Sequence, residues 1–316
     1  MKMLHPSKIK NLVFSGGGQR GFAYIGALHA LVDRGLVLTQ LQGVGGTSIG
    51  ALMALLVAIG FSPAEMAFLV ARLDMHKLID FNLTSLTRDY GMDDGVRVKK
   101  LLRSYLHNKG FDRGTTFLQL HNATSMQLLI VGCNVNEYTE HVMDHKRTPH
   151  MSVVDACVMS MSLPLLFSPM RQGDCLYADG GLVNNFPMEY FPSESTLGMR
   201  LRWGVAFRLS SLDQFLARIA YCALGQGEYI QWLKLDDQHK ANTVTIEVGD
   251  VSTVNLRMSK DHKKLIIKKG WEALEEALLE PPEKLVQQLV KTTLCQLVRS
   301  LLDKDNDKDT ATDTVE

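Results

Sequence analysis

The chain has 316 residues, 46% of them hydrophobic, and it balances 34 basic against 34 acidic side chains. That supplies a large apolar core for one domain, or one domain with an appendage. A net charge of zero excludes the general attraction to nucleic acid that basic binding domains use, and the longest apolar stretch falls short of the roughly 20 residues a membrane span needs.

Met1 to Lys10 is polar and basic, and the apolar run after it is too short, and lacks the cleavage pattern, for a signal peptide. Residues 9–15 read as a short buried strand. Gly16-Gly17-Gly18-Gln19-Arg20-Gly21 follows, and Phe22 to Arg34 reads as a helix with Phe22, Ile25, Leu28, Leu31 and Val32 apolar. The glycines thus occupy a strand–loop–helix junction, where consecutive N–H groups can turn toward one point and form an anion-binding nest. Two chemistries use such a nest. A dinucleotide site fits the Gly16-x-Gly18-x-x-Gly21 spacing but needs an acidic residue about 20 positions on, and Leu36 to Gln42 contains none. The other is an oxyanion hole for acyl transfer. A loop that only packs tightly gives the same pattern. Arg20 stands there either as an anion contact or as a solvated charge in a first helical turn.

A short second strand leads to Gly46-Thr47-Ser48-Ile49-Gly50, a G-x-S-x-G pattern. Here a strand would turn sharply into a helix and push one hydroxyl out of the fold, with glycines letting the neighbouring backbone approach. A serine held there is a candidate nucleophile, and an ordinary strand-to-helix connection produces the same letters. Ile49 to Phe61 reads as a buried helix behind it, ending near Gly60. Ser62-Pro63-Ala64-Glu65 starts another, with a serine cap and proline at the first helical position. Asp93-Asp94-Gly95 precedes a helical face of Val96, Leu101, Leu102, Tyr105 and Leu106, and Thr116 to Leu120 starts a connecting helix. Met126 to Asn134 reads as a buried strand, Glu137 to Met143 as its neighbour and Val153 to Met161 as a helix.

Cys175 to Ala178 is strand-like and ends at Asp179-Gly180-Gly181. A carboxylate at a strand end before two glycines suits a base that must reach a hydroxyl on another strand, and a plain Asp-Gly turn looks the same. Trp203 to Leu209 and Thr243 to Val248 read as strands separated by a helix from Leu212 to about Leu235. The alternation points to an α/β sandwich with a mainly parallel sheet. Ser259 to Leu279 is an amphipathic helix made basic by Lys260, Lys263, Lys264, Lys268 and Lys269. It reads as a membrane-surface helix or as a packed helix with solvated lysines. Leu285 to Leu302, after Pro281-Pro282, reads as a further helix, and the acidic tail 303–316 as disordered.

The order G-G-G-x-R-G, G-T-S-I-G, D-G-G resembles the patatin-like phospholipase family over residues 9–192, with weaker likeness toward 280. Ser162 to Phe167, followed by Tyr177 to Pro187, looks like that family's second catalytic segment. Asp-Gly-Gly stands where many members have Asp-Gly-Ala. The resemblance implies a three-layer α/β/α sandwich and a serine–aspartate dyad, with Ser48 as nucleophile and Asp179 as general base. Gly16, Gly17 and Gly18 would supply oxyanion N–H groups, with Arg20 and Gly21 in the same loop. Gly46, Gly50, Gly180 and Gly181 would frame the two catalytic residues. The implied reaction is hydrolysis of phospholipid or glycerolipid esters through an acyl-serine, with no cofactor and no metal. The runner-up is a weak or inactive relative that only binds lipid or an anion.

An aspartate with an ordinary pKa near about 3.9 is a poor base toward a hydroxyl, so Asp179 is expected to be partly desolvated. A Ser-His-Asp hydrolase is the rival, with His239 or His262 as the third member. Both histidines sit in charged, solvent-facing stretches, and an α/β-hydrolase places several strands before its nucleophile. Expected partners are a lipid substrate and a transient membrane surface, not nucleic acid. Cys133, Cys157, Cys175, Cys222 and Cys295 lack C-x-x-C spacing. Cys133, Cys157 and Cys222 sit among apolar neighbours and read as reduced core residues, which suits a cytoplasmic protein, peripheral at membranes. The expected organisation is an acyl hydrolase domain over 1–280, a helical extension over 281–302 and the tail.

Overall fold

A computed structural model of the protein describes residues 3–79, 82–202, 215, 218, 219, 222, 229–249 and 258–279. The strands are β1 (Asn11–Phe14), β2 (Gly43–Thr47), β3 (Gly91–Asp93), β4 (Gln127–Asn134), β5 (Thr139–Met143), β6 (Leu165–Phe167), β7 (Met170–Gln172), β8 (Cys175–Asp179), β9 (Thr196–Arg202) and β10 (Thr243–Glu247). The helices are α1 (Ala23–Asp33), α2 (Ile49–Ala58), α3 (Pro63–Arg72), α4 (Met75–Leu78), α5 (Leu83–Asp89), α6 (Val96–Asn108), α7 (Phe117–Thr124), α8 (Val153–Ser160), α9 (Asp237–Ala241) and α10 (Lys260–Leu278). Compact packing divides the chain at Leu274, and of the unit Glu275–Glu316 only residues 275–279 are described.

The main sheet has the order β10-β9-β1-β2-β4-β8-β7, with β5 also on β4. The five strands from β10 to β4 are parallel neighbours. The β4–β5, β4–β8 and β7–β8 pairs are antiparallel, so the expected mainly parallel sheet carries an antiparallel margin. Strands covered on both faces read as continuous apolar runs, and β4 does so with Leu128, Leu129, Ile130 and Val131 all buried. On one face Val13, Leu129 and Val131 pack with Phe186, Met188, Phe191 and Leu235. On the other lie α2 and α8. β2 is glycine-rich because both faces are crowded. Cβ atoms at Gly43 and Gly45 would stand 2.7 and 2.6 Å from the Phe191 ring.

The helix boundaries follow their caps. Ser62 and Glu65 close a capping box on α3, and Thr116 and Gln119 do so on α7. Past α2, Gly60 has φ +83°, its N–H bonds Val57 O at 3.0 Å, and Phe61 N–H bonds Leu56 O at 2.9 Å. That pattern is a Schellman stop. α10 touches α1 backbone to backbone: a Cβ at Gly270 would lie 1.7 Å from Ala23 O, and one at Gly26 1.8 Å from Ile267 O. Lys263 on α10 is buried, and its Nζ donates to Val70 O at 3.0 Å and Leu73 O at 2.5 Å, capping α3. Burial lowers its pKa. The packed helix expected with solvated lysines is thus corrected at one position, since Lys263 is a buried cap.

The expected strand at Trp203–Leu209, the extension 281–302 and the tail lie outside the described residues, as does most of the helix expected over 212–235. β9 precedes that expected strand; Gly198 and two arginines mask it in the sequence. Gly198 leaves room for the Phe186 ring and Met188 Sδ, each 2.6 Å from a Cβ placed there. Cys133 and Cys157 are buried free thiols, whereas Cys222 is exposed, contrary to its apolar neighbours.

Candidate active site

β2 and β8 meet end to end along one edge of β4. Thr47 pairs with Val131, and Asp179 pairs with the next residue, Gly132. β5 fills the other edge across Ile130–Asn134. The parallel strand runs up and the antiparallel strand runs down, so Ser48 and Asp179 arrive at one point. Ser48 Oγ donates to Asp179 Oδ2 at 2.7 Å.

Ser48 sits at φ 55°, ψ −124°, immediately before α2, and its hydroxyl makes no capping bond. Such a conformation costs an L-residue about 1–3 kcal/mol, so the surroundings must hold it. Ser48 N–H donates to Ser160 Oγ at 2.9 Å, and Ser160 Oγ donates to Val131 O at 2.5 Å. Thr47 Oγ1 donates to Asn184 O at 2.8 Å. The flanking glycines allow the bend: a Cβ at Gly46 would lie 2.5 Å from Gly50 O, and one at Gly50 2.3 Å from Phe14 O. The helix thus approaches both β1 and β2 at contact distance.

Asp179 is 1% exposed. Its Oδ1 accepts Gly181 N–H at 2.8 Å, and a Cβ at Gly180 would strike Val131 O at 2.2 Å. Burial pushes its pKa up to about 6, against the opposing pull of the Ser48 and Gly181 hydrogen bonds. The expected desolvation is present, and the carboxylate holds a proton more tightly than a free aspartate.

The glycine loop is narrower in role than its letters suggest. Gly16 N–H already donates to Asn185 O at 3.1 Å, so it is not an available donor, a correction to the three-glycine expectation. Gly17 and Gly18 line the cavity beside Ser48. They open the 3-10 turn Gly18–Phe22, and first-turn N–H groups have no partner within a helix. Arg20 is 2% exposed, which excludes the solvated reading, and neither it nor Gly21 lines the cavity. Gly21 serves packing: a Cβ there would lie 2.3 Å from Ile49 Cγ1.

A cavity of about 180 Å³ extends from this point. Gly17, Gly18, Ser48, Asp179 and Asn185 form one part of it, apolar side chains of α2, α3 and α6 much of the rest, and Asp94 also lines it. Asn185, Ser160 and Asp94 also shape the site, though no sequence motif marks them as functional. Asn185 lies in the segment after Asp-Gly-Gly, while Ser160 has no sequence signal beyond a small residue in an apolar helix. Neither candidate histidine lines the cavity. His239 is buried rather than solvated, and its Nε2 and Nδ1 pair with Phe191 O at 3.0 Å and Asp236 Oδ2 at 3.1 Å, leaving no free ring nitrogen. His262 is exposed on α10. No described helix is long and apolar enough to cross a membrane.

The viral "Uncharacterized protein R571" of Acanthamoeba polyphaga mimivirus is 24% identical over 291 residues, covering 88% of this chain and 97% of that one. "Probable lipid hydrolase 463L" of Invertebrate iridescent virus 6 is 29% identical over 191 residues, 59% of this chain and 64% of its own length. Among solved structures, VipD from Legionella pneumophila shares the fold with a TM-score of 0.60 at 20% identity, over 86% of this chain and 67% of that one. The model of the patatin-like phospholipase family matches residues 12–192, a span holding every loop and strand end that meets at Ser48. The match covers more than half of the 316 residues, and the chain belongs to the patatin-like phospholipase family.

Proposed function

We propose that the protein hydrolyses carboxylic esters of lipids through a Ser48–Asp179 dyad. The observation that carries this reading is the 2.7 Å hydrogen bond from a strained serine to a buried carboxylate at one part of an apolar cavity. Asp179 takes the Ser48 proton as Oγ attacks the ester carbonyl. Gly17 and Gly18 N–H groups hold the developing oxyanion, each good donor contributing about 3–4 kcal/mol. Asp179 then returns the proton to the departing alcohol, leaving an acyl-serine. Water, deprotonated by the same carboxylate, releases the fatty acid and restores the hydroxyl. The acyl chain lies along the leucines of α2, and the alcohol part stays at the polar end; a membrane surface delivers the lipid.

The purified protein is expected to cleave p-nitrophenyl esters and phospholipids, and Ser48→Ala to lower kcat by about 10⁴–10⁶-fold. Full activity in Ser48→Ala would end this reading; binding of lipid without turnover in the wild type would favour a lipid-binding relative. The carboxylate must be ionised to act, so kcat/KM is expected to fall tenfold per pH unit below about pH 6. An acid limb near the ordinary aspartate value would contradict the burial argument.

α2 also provides a ruler. Leu52 and Leu56 both line the cavity. At 1.5 Å per helical residue they stand about 6 and about 12 Å along the axis from Ser48. Leu56→Trp is expected to shift preference from palmitate toward octanoate esters, and Leu52→Trp to shift it further, toward acetate. Unchanged chain-length profiles in both variants would remove the acyl chain from this cavity.

A further inference from the structure

We propose that Asp94 makes the site select esters by the charge of their alcohol part, favouring lipids with an ammonium-bearing, zwitterionic headgroup over net-anionic ones; the proposal rests on the hydrolase reading above. The charged residues along the cavity are Asp94 and Asp179, and no lysine, arginine or histidine among the described residues lines it. A site built for an anionic headgroup would present cations, with arginine the usual choice for phosphate.

Asp94 is exposed whereas the other lining residues are buried or half-buried, which puts it at the mouth. The mouth lies at the Ser48 side. A Cβ on Gly95 would stand 3.4 Å from Val158 Cγ1 on α8, Lys99 of α6 pairs with Asp155 of α8 at 2.7 Å, and Ser160 of α8 holds Ser48 N–H at 2.9 Å. The other end of α6 is remote from the nucleophile: Tyr105 packs on Phe61, past the end of α2, with ring centroids 5.8 Å apart. An acyl chain directed toward Leu56 and Tyr105 therefore leaves the alcohol part beside Asp94. Asp94 Oδ1 accepts Val96 N–H at 3.0 Å, and the carboxylate forms no ion pair among the described residues. Its negative charge is thus not cancelled before substrate arrives, and it adds to that of the ionised Asp179. An anionic headgroup meets repulsion at the mouth; a trimethylammonium or primary ammonium meets attraction.

The test is the ratio of kcat/KM for monomeric short-chain phosphatidylcholine to that for phosphatidylglycerol with the same acyl chains, both below micelle formation so that no surface charge intervenes. Wild type is expected to favour the choline lipid by about fivefold, the factor for one close pair of unit charges in a watery setting, with the preference narrowing as salt rises. Asp94→Asn keeps an acceptor for Val96 N–H and should lower the ratio toward one, leaving only the share that Asp179 contributes. Asp94→Lys should invert it. A ratio that is the same in all three proteins, or a wild type that prefers the glycerol lipid, overturns the proposal. Neutral p-nitrophenyl butyrate separates the two levels of inference. If wild type cleaves it and Ser48→Ala does not, a static ratio condemns the Asp94 assignment alone. If wild type cleaves no ester at all, the hydrolase reading fails and this one with it.

Discussion

Asp179→Asn is expected to make the protein more stable at pH 8 while lowering kcat by about 10²–10⁴-fold, the range of a lost general base. Asparagine keeps an oxygen for Gly181 N–H and the side chain's volume, so the site stays filled. What it removes is a buried negative charge. The folded state raises the Asp179 pKa from 3.8 to about 6, which corresponds to on the order of 3 kcal/mol. Because the folded pKa lies above the unfolded one, the group's stabilising contribution is full below about pH 3.8. It is lost as pH rises through about 6, where folding must hold the charge in a dry site. The variant should therefore gain about 1–3 kcal/mol over wild type at pH 8, and the difference should shrink toward zero near pH 4. Thermal unfolding across that range, read beside ester hydrolysis, checks both halves. A variant less stable than wild type at pH 8 would mean that the carboxylate is stabilising and not strained. Retained activity would remove Asp179 from the reaction.

The same tension explains which parts of the molecule could be read from letters. β1 and β4 are runs buried almost throughout, β10 alternates with Val244 and Ile246 buried, and α3 and α7 announce their own starts through capping boxes. β2 is legible only through its motif. Gly43, Gly45 and Gly46 have poor strand propensity, and their reason is the Phe191 ring on one face and α2 on the other. β3, β6 and β7 are three residues each, too short for any period to emerge. β9 is broken by Gly198, whose missing side chain leaves room for Phe186 and Met188 from the segment just before the strand. At the site, Ser48 is legible because its strained turn needs glycines on both sides, Gly46 and Gly50, and Asp179 because Gly180 and Gly181 follow it. Their meeting was not visible, since it depends on two strands ending at adjacent residues of β4. The role of Gly16 is hidden in the sequence for a related reason: its N–H is consumed by Asn185 O, far along the chain. The burial of His239 is likewise hidden, because the polar residues around it do not reveal that its ring meets Phe191 O.

Gly50→Ala carries the second large expected effect, and its sign is decided by two opposed magnitudes. In the first turn of a helix, alanine is favoured over glycine by up to about 1 kcal/mol. Against that stands a Cβ 2.3 Å from Phe14 O and 2.7 Å from Ser15 O, both backbone atoms of β1 and the residue after it. Backbone in a central strand cannot rotate aside, so α2 must move away from β1. Overpacking of this kind costs about 1–3 kcal/mol or more, and the net result is destabilisation. The displacement also separates two parts of the site, because α2 begins at Ser48 while Ser15 leads directly into the glycine loop. A shift of about 1 Å between nucleophile and oxyanion donors costs on the order of 10²-fold in rate. The variant is therefore expected to lose both stability and kcat. Gly60→Ala is the internal control: φ is +83°, but nothing lies within 4 Å of the added Cβ. Its cost is the local strain of about 1 kcal/mol, at the far end of the same helix, with kcat per folded molecule unchanged. Equal kcat losses in the two variants would show that α2 stability, and not its contact with β1, governs the site; loss in Gly50→Ala alone ties catalysis to that single backbone approach.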